Sequence, residues 1–173
     1  MVEDLLVIPD IEAASLRMKY KELNLKNVIE TSILSTSSAD TNLFNVDIQE
    51  PLKNIYSDED RLIQIFINLL ENAVKYSKEN TPIEIKAFSD DEFVTLKVKN
   101  EADKIDEKTL QMLFEKFTRV EANLTRTTRG TGLGLFIVKG LIETMGGKIT
   151  LKSDDGFEVT FTIPTYKGQD NAD

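Results

Sequence analysis

The chain has 173 residues, of which 40% are hydrophobic, and this is enough for one domain with a substantial core. It contains no cysteine and no histidine, which excludes disulfides, thiolate metal sites and any mechanism that needs a histidine base from this chain. The formal net charge of −9 argues against nonspecific nucleic-acid binding, which needs a basic face.

The composition also bears on location. No apolar run approaches the roughly 20 residues that span a bilayer, and the acidic start does not resemble a signal peptide. We therefore expect a soluble, cytoplasmic protein without direct membrane contact, whose parent chain could carry a membrane anchor elsewhere.

The first third of the chain predicts helices separated by short strands. Residues 1–16 predict a helix, in which Pro9 marks a kink or a boundary. This helix either docks on the core or is the end of a helix from an upstream domain, and we favour the second interpretation. The next predicted elements are a strand within 17–23, a helix over 25–36 capped by Asn24, a polar loop over 35–42, and strands over 44–48 and 54–56.

The remainder predicts one long helix and two hairpins. The predicted elements are a helix from an Asp58 or Asp60 cap to about Ser77, a hairpin over 82–88 and 93–98, a helix over 107–113, a mobile loop over 118–130, a helix over 132–145 stopped by Gly146-Gly147, and a hairpin over 148–152 and 157–164. This order lacks a regular βαβ alternation. It predicts an α/β (α+β) fold, a two-layer sandwich with helices on one face of a mixed, mainly antiparallel sheet.

Two asparagines lie inside the apolar part of the long helix. Asn68 and Asn72 are four residues apart and share a face, and Lys75 follows them. An unpaired buried amide costs about 1–3 kcal/mol, so a ligand is expected to offset that cost. An amide oxygen suits Mg²⁺, Lys75 can reach phosphates, and Tyr76 can cover an adenine face. The alternative is an amphipathic helix with a solvated polar side, which the flanking apolar residues disfavour.

A glycine-rich run opens the last predicted helix. It reads Gly130-Thr131-Gly132-Leu133-Gly134-Leu135. Its glycines would let backbone N–H groups approach phosphate oxygens, and its leucines would bury the start of a helix whose positive dipole end faces the anion. The spacing is neither the Rossmann nor the Walker pattern, and a plain loop-to-helix turn is the alternative.

A locally basic stretch precedes the glycine run. Residues 115–129 contain four basic residues, among them Arg119, and two acidic ones. A basic segment beside a glycine-rich turn fits a lid over a polyphosphate. The alternative is a solvated loop.

Three motifs, in this order and spacing, resemble the N, F and G2 boxes of bacterial sensor histidine kinases. They are Asp60-Arg61-Leu62-x-Gln64-x-x-x-Asn68-Leu69-Leu70-x-Asn72-Ala73-x-Lys75-Tyr76-Ser77, Phe114-Glu115-Lys116-Phe117-x-Arg119 and the glycine run. The resemblance covers about residues 17–164 and implies a GHKL (Bergerat) fold that binds ATP and Mg²⁺. The roles it implies are Mg²⁺ binding for Asn72 with support from Asn68, phosphate contacts for Lys75 and Arg119, a place near adenine for Tyr76, and contact with upstream dimerisation helices for Phe114 and Phe117.

The start of the chain extends the resemblance. Residues 2–13 are similar to the end of the second helix of the family's dimerisation and phosphoacceptor domain. The implied domains are the tail of that helix over 1–16, the ATP-binding catalytic domain over 17–166 and a disordered tail over 167–173. The phosphoacceptor histidine would lie upstream, so the chain would be incomplete alone and monomeric. In a homodimeric full-length protein, the γ-phosphoryl would pass from ATP to that histidine and then to a response regulator.

One motif departs from the family. The G1 box usually reads Asp-x-Gly-x-Gly, and its Asp accepts a hydrogen bond from the adenine amino group. Here Asn100 replaces the Asp, and Ala102 and Lys104 replace the glycines. An amide keeps an acceptor oxygen without the charge, which weakens the contact by about 1 kcal/mol. Ile105 remains to line the base pocket, so we expect weak nucleotide binding. The family's last glycine box is reduced to Gly156.

Two other functions stay open. ATPases of the same fold place a glutamate base where Asn68 stands, and an amide cannot take a proton from water. A non-catalytic interaction module is suggested by the altered G1 segment and opposed by the intact Asn72, Lys75 and glycine run. The kinase domain is therefore the favoured interpretation.

Overall fold

The computed structural model describes residues 2–36, 43–118 and 131–166. The helices in these ranges are α1 (Val2–Glu12), α2 (Leu25–Ser35), α3 (Glu59–Tyr76), α4 (Glu107–Met112) and α5 (Gly134–Thr144). The strands in these ranges are β1 (Lys21–Leu23), β2 (Phe44–Ile48), β3 (Ile55–Ser57), β4 (Ile83–Ser89), β5 (Phe93–Asn100), β6 (Ile149–Lys152) and β7 (Phe157–Pro164). Every predicted helix and strand is confirmed, with ends that differ from the prediction by at most four residues. The predicted polar loop over 35–42, the loop over 118–130 and the tail lie mostly outside the described residues.

The strands form one large and one small sheet. The five-stranded sheet has the order β2-β4-β5-β7-β6, in which β2 runs parallel to β4 and the other neighbours are antiparallel. The pair β1 and β3 forms a separate antiparallel ribbon. The expectation of a mixed, mainly antiparallel sheet is therefore confirmed.

The hydrophobic core lies between the large sheet and the helices. Alternate residues of the central strands are buried, because successive side chains in a strand point to opposite faces. The buried apolar residues of β4, β5 and β7 are Ile83, Ile85, Ala87, Val94, Leu96, Val98, Val159, Phe161 and Ile163. Helix α3 meets them with Phe66, whose ring contacts Phe161 edge-on at 5.7 Å between centroids. The two-layer sandwich is thus confirmed.

Helix α1 docks on α5. Val7 and Ile8 are buried, and Ile11 lies against Gly140, where an added Cβ would come within 2.5 Å of Ile11 Cγ2. The helix continues through Pro9, so Pro9 is not a boundary. The docked position agrees with the first interpretation of this segment, while its origin in an upstream helix stays a prediction. None of the helices in the described ranges has the length and apolar character needed to cross a bilayer.

The turn after α5 generates a stability prediction. A Cβ on Gly147 would lie 1.9 Å from the carbonyl oxygen of Thr162 on β7. We expect Gly147→Ala to lower the free energy of unfolding by more than about 3 kcal/mol, because strand backbone would have to move. Urea denaturation would measure this loss, provided that the dependence of the free energy of unfolding on urea concentration has the same slope in both proteins.

The neighbouring glycine supplies the control. Gly146 has φ +80°, and a Cβ there would meet Pro164 at an ordinary 3.5 Å. Gly146→Ala should cost only the strain of the left-handed conformation, about 1–2 kcal/mol. Equal losses for the two variants would contradict the steric argument.

Candidate functional site

Helix α3 begins at a buried cap. The Asp58 carboxylate, whose residue is 4% exposed, accepts hydrogen bonds from the backbone N–H of Arg61 at 3.1 Å and of Lys19 at 2.7 Å. Asp58, and not Asp60, is therefore the N-cap. Because this cap joins the segment before β1 to the first turn of α3, it fixes the position of the helix that carries the polar stripe.

The asparagine stripe of α3 faces the start of α5. Asn68 Nδ2 donates to the carbonyl oxygen of Gln64 at 3.0 Å, and both Asn68 and Asn72 are half-buried. A Cβ built on Gly134 would lie 3.1 Å from Asn68 Oδ1 and 3.6 Å from Asn72 Nδ2. The missing side chain of Gly134 thus leaves a small space bounded by both amides.

The stripe ends in a cation–aromatic contact. Lys75 Nζ lies 4.8 Å from the centroid of the Tyr76 ring, and Tyr76 is 41% exposed. A lysine ammonium over an aromatic face is attracted by the ring quadrupole. The two residues are therefore adjacent to each other, at the C-terminal end of the stripe.

Helix α5 starts without a side-chain cap. Leu133 holds the N-cap position and is buried, and its N–H donates to Thr131 Oγ1 at 3.3 Å. No side chain of the described residues caps the first turn, which begins at Gly134 and Leu135. The uncapped N–H groups and the positive end of the helix dipole can receive an anion.

A backbone clasp joins the glycine run to the segment after α4. The N–H of Phe117 donates to the carbonyl oxygen of Gly132 at 3.0 Å, and both residues have positive φ. A Cβ on Gly132 would lie 2.8 Å from the carbonyl carbon of Phe117. Glycine is therefore required by this close approach as well as by its φ of +68°. Sequence reasoning missed this clasp, because it links two motifs that the chain separates.

The same segment contacts both α1 and α5. Lys116 forms an ion pair with Glu12, and its Nζ lies 5.6 Å from the Phe136 ring centroid. Lys139 Nζ lies 5.3 Å from the ring centroid of Phe114. Phe117, in contrast, is 68% exposed, so its ring is available at the surface.

The end of β5 forms the other part of the site. Asn100 is 3% exposed, and among the described residues its Nδ2 reaches the carbonyl oxygen of Glu101 alone, at a long 3.5 Å. That carbonyl also accepts from the N–H of Lys78 at 2.8 Å, which joins the end of β5 to the end of α3. A Cβ on Gly156 would lie 2.5 Å from the carbonyl oxygen of Asn100, so the turn between β6 and β7 packs closely here.

The segment after Asn100 is held by a serine that sequence reasoning missed. The N–H of Ile105 donates to Ser153 Oγ at 2.8 Å, and Ser153 is buried. Asp106 then caps α4. Hydrogen bonds from the Thr109 hydroxyl and the Thr109 N–H lower the pKa of the Asp106 carboxyl below its ordinary value. The segment is therefore held at both ends although its two family glycines are absent.

Residues 57–167 match the family described as "Histidine kinase-, DNA gyrase B-, and HSP90-like ATPase". The chain belongs to this family.

Relatives and solved structures narrow the type. The sensor protein SrrB of Staphylococcus aureus (strain NCTC 8325 / PS 47) is 33% identical over 169 residues, which are 96% of this chain and 29% of SrrB. The chain therefore spans less than a third of the length of SrrB. The catalytic domain of histidine kinase ThkA matches with a TM-score of 0.73 and 28% identity, over 86% of this chain and 97% of that domain. Full-length ShkA in complex with AMPPNP matches with a TM-score of 0.82 and 25% identity, over 96% of this chain and 35% of ShkA.

These matches identify a GHKL-fold, ATP-binding catalytic domain of the sensor histidine kinase type. Within this catalytic domain, the described residues place Asn68, Asn72 and Gly134 together, and Lys75 with Tyr76. Asn100 and Ile105 lie at the other end, linked to α3 through Lys78. The predicted site residues Arg119 and Gly130 lie outside the described residues. The functional roles of all these residues stay predictions.

The Asp58 cap generates a prediction on the helix that carries the stripe. Asp58→Ala removes acceptors for both Arg61 and Lys19, and we expect it to lower the free energy of unfolding by about 1–2 kcal/mol. Asp58→Asn keeps one acceptor and should cost less than the alanine variant. Urea denaturation followed by circular dichroism compares them, and an asparagine variant as unstable as the alanine variant would contradict the capping role.

Proposed function

We propose that this domain binds Mg-ATP and, within a longer sensor protein, positions it for transfer of the γ-phosphoryl to a histidine. The observation that carries the proposal is the convergence of Asn68 and Asn72 on the uncapped start of α5 at Gly134. Two half-buried amides beside free helix N–H groups form a polar space suited to a polyphosphate and its cation. The family match and the likeness to ShkA, solved with AMPPNP, support ATP as that ligand.

The chemistry of the donors fits magnesium. The described residues contain no group of three or more His, Cys, Asp or Glu side chains that could hold a metal ion. A cation here would be held by the amide oxygen of Asn72 together with phosphate and water oxygens, which is how Mg²⁺ is usually bound beside nucleotides. When bound, the ion supplies neutralisation of phosphate charge. Asn68 keeps its Nδ2 on the Gln64 carbonyl and so holds its Oδ1 toward this space.

The remaining roles concern the phosphates and the base. Phosphate oxygens would accept hydrogen bonds from backbone N–H groups at the positive end of α5. These N–H groups belong to the glycine run, Gly130, Thr131, Gly132, Leu133, Gly134 and Leu135. Lys75 would exchange its contact with the Tyr76 ring for a phosphate, and Arg119 would add a second positive charge. Tyr76, Asn100 and Ile105 would surround the adenine.

Phosphoryl transfer is favoured over hydrolysis. Hydrolysis needs a residue that orients and deprotonates water, and the amide of Asn68 cannot accept that proton. A domain that only positions ATP and stabilises charge would instead deliver the phosphoryl to a nucleophile on another domain.

The partners follow from the same proposal. We propose that 1–16 is the tail of a dimerisation helix, 17–166 the catalytic domain and 167–173 a disordered tail. Two observations support contact with a dimerisation and phosphoacceptor domain: the docking of α1 on α5, and the exposed ring of Phe117, which follows the Lys116 that pairs with Glu12 of α1. The parent would be a cytoplasm-facing homodimer that passes the phosphoryl to a response regulator, and the isolated chain would be a monomer without nucleic-acid partners.

Magnesium-dependent ATP binding tests this function. We expect Mg-ATP to bind the chain weakly but measurably by titration calorimetry, and Asn72→Ala to weaken Mg-ATP at least about tenfold, since a direct ligand is lost. Binding of ATP in excess EDTA should be much less affected by this variant. Asn27→Ala, at an exposed position of α2, is the matched control. No heat at millimolar nucleotide would instead favour the non-catalytic interaction module, which the altered G1 segment suggests.

ATP turnover separates a kinase domain from an ATPase. We expect the isolated chain to release phosphate from Mg-ATP no faster than the buffer does, because the amide of Asn68 cannot act as a general base. A coupled phosphate-release assay measures this. Steady turnover that Asn68→Ala abolishes would indicate an ATPase and contradict the proposed transfer.

A further inference from the structure

The side chain of Asn100 is a buried polar group with spare hydrogen-bonding capacity. The residue is 3% exposed, and the sole hydrogen bond of its side chain to the described residues is the 3.5 Å contact from Nδ2 to Glu101. A buried amide oxygen without a donor is costly. Among the described residues, Ser57 Oγ is the side-chain polar atom that is both fully enclosed and without a hydrogen-bond partner. Asn100 Oδ1 is therefore not fully enclosed, and it borders accessible space. The unpaired oxygen is therefore placed to meet a ligand.

The neighbouring polar groups already have partners. The Glu101 carbonyl accepts from Lys78, and the Ile105 N–H donates to Ser153. The backbone of Asn100 pairs with Phe157 across the sheet. At this end of the proposed nucleotide site, the Asn100 amide can therefore still form hydrogen bonds with the edge of a base.

An amide can read two kinds of purine edge. A 6-amino purine donates from its amino group and accepts at N1, whereas a 6-oxo purine accepts at O6 and donates from N1. A primary amide carries one acceptor oxygen and one donor nitrogen side by side. It matches the first edge in one orientation and the second after a half-turn about its terminal bond. A carboxylate can only accept, so it repels O6.

Little in the protein holds the amide in one orientation. The 3.5 Å contact to Glu101 lies at the outer limit of a hydrogen bond, so a half-turn gives up little bonding energy, although it turns Oδ1 toward the Glu101 carbonyl oxygen. We propose that Asn100 makes the base site tolerant at position 6 of the purine, so that the domain takes both 6-amino and 6-oxo purine nucleoside triphosphates. The inference rests on the proposed nucleotide-binding function and specifies the substrate class of that site.

The test compares Mg-ATP with Mg-ITP by titration calorimetry. Inosine lacks the 2-amino group of guanine, so the two ligands differ only at position 6 and in the N1 proton. For the unmodified chain, we expect the two dissociation constants to agree within about tenfold. In Asn100→Asp, which has the same shape but only acceptors, Mg-ITP should weaken relative to Mg-ATP by at least about thirtyfold.

The control variant makes the same charge change elsewhere. Asn27→Asp, on the exposed side of α2, should leave the ratio of the two dissociation constants unchanged. If circular dichroism shows that Asn100→Asp is unfolded, Asn100→Ala takes its place. It should weaken both nucleotides to a similar extent, and a loss confined to Mg-ATP would overturn the inference.

The failures are distinguishable. If Mg-ATP binds and Mg-ITP binds to the unmodified chain more than about tenfold more weakly, the inference is overturned and the proposed function stands. An unchanged ratio in a folded Asn100→Asp variant would do the same. Binding of neither nucleotide to the unmodified chain would overturn the proposed function, and the inference with it.

Discussion

The packing of α3 against both the sheet and α5 is the constraint on which the structure depends. One side of α3 buries Phe66 against Phe161, and burial of a large apolar side chain contributes about 1.5–3 kcal/mol. Another side carries the amides of Asn68 and Asn72 and meets the first residue of α5. Because both contacts belong to one rigid helix, the apolar core sets the position of the polar stripe to within the tolerance of core packing.

Close backbone contacts at two glycines hold the loops that surround α3 and α5. Gly132 is clasped by Phe117, and Gly156 packs on the carbonyl of Asn100. Neither contact leaves room for a Cβ, so the segments at both ends of the proposed site are held against backbone and not against adjustable side chains. This explains how the Asn100 segment can stay ordered without the two glycines that the family usually has there, since Ser153 and the Asp106 cap hold it as well.

The charges of the site differ from those of the chain. The formal net charge is −9, yet the proposed phosphate end offers Lys75, helix N–H groups and neutral amides. The neutral amides of Asn68 and Asn72 themselves add no negative charge that would repel a polyphosphate. In the proposed function, the amide of Asn68 supplies no base for hydrolysis, so this residue would affect both ligand binding and the type of reaction.

Local patterns in the sequence were sufficient for the elements and for the family. Hydrophobic periodicity and capping residues such as Asn24 and Asp58 depend on neighbours within a few positions, and these elements are confirmed. The motif order led to the histidine kinase family, which the comparisons bear out. The asparagine pair could be placed on one face of α3 because helix geometry alone fixes that relation.

The tertiary structure decided what depends on contacts between distant residues. The parallel pairing of β2 with β4, the docking of α1 on α5 and the clasp between Phe117 and Gly132 leave no periodic trace in the sequence. Likewise, the pattern identified Gly134 as a backbone position near phosphate, but only the packing showed that its missing side chain makes room for both amides. Only the packing showed, likewise, that Asn100 is buried and that its side-chain amide has almost no partner. Sequence therefore determined which groups the site contains, and long-range packing determined which of them are left free to bind, because only packing decides which polar groups find partners within the protein.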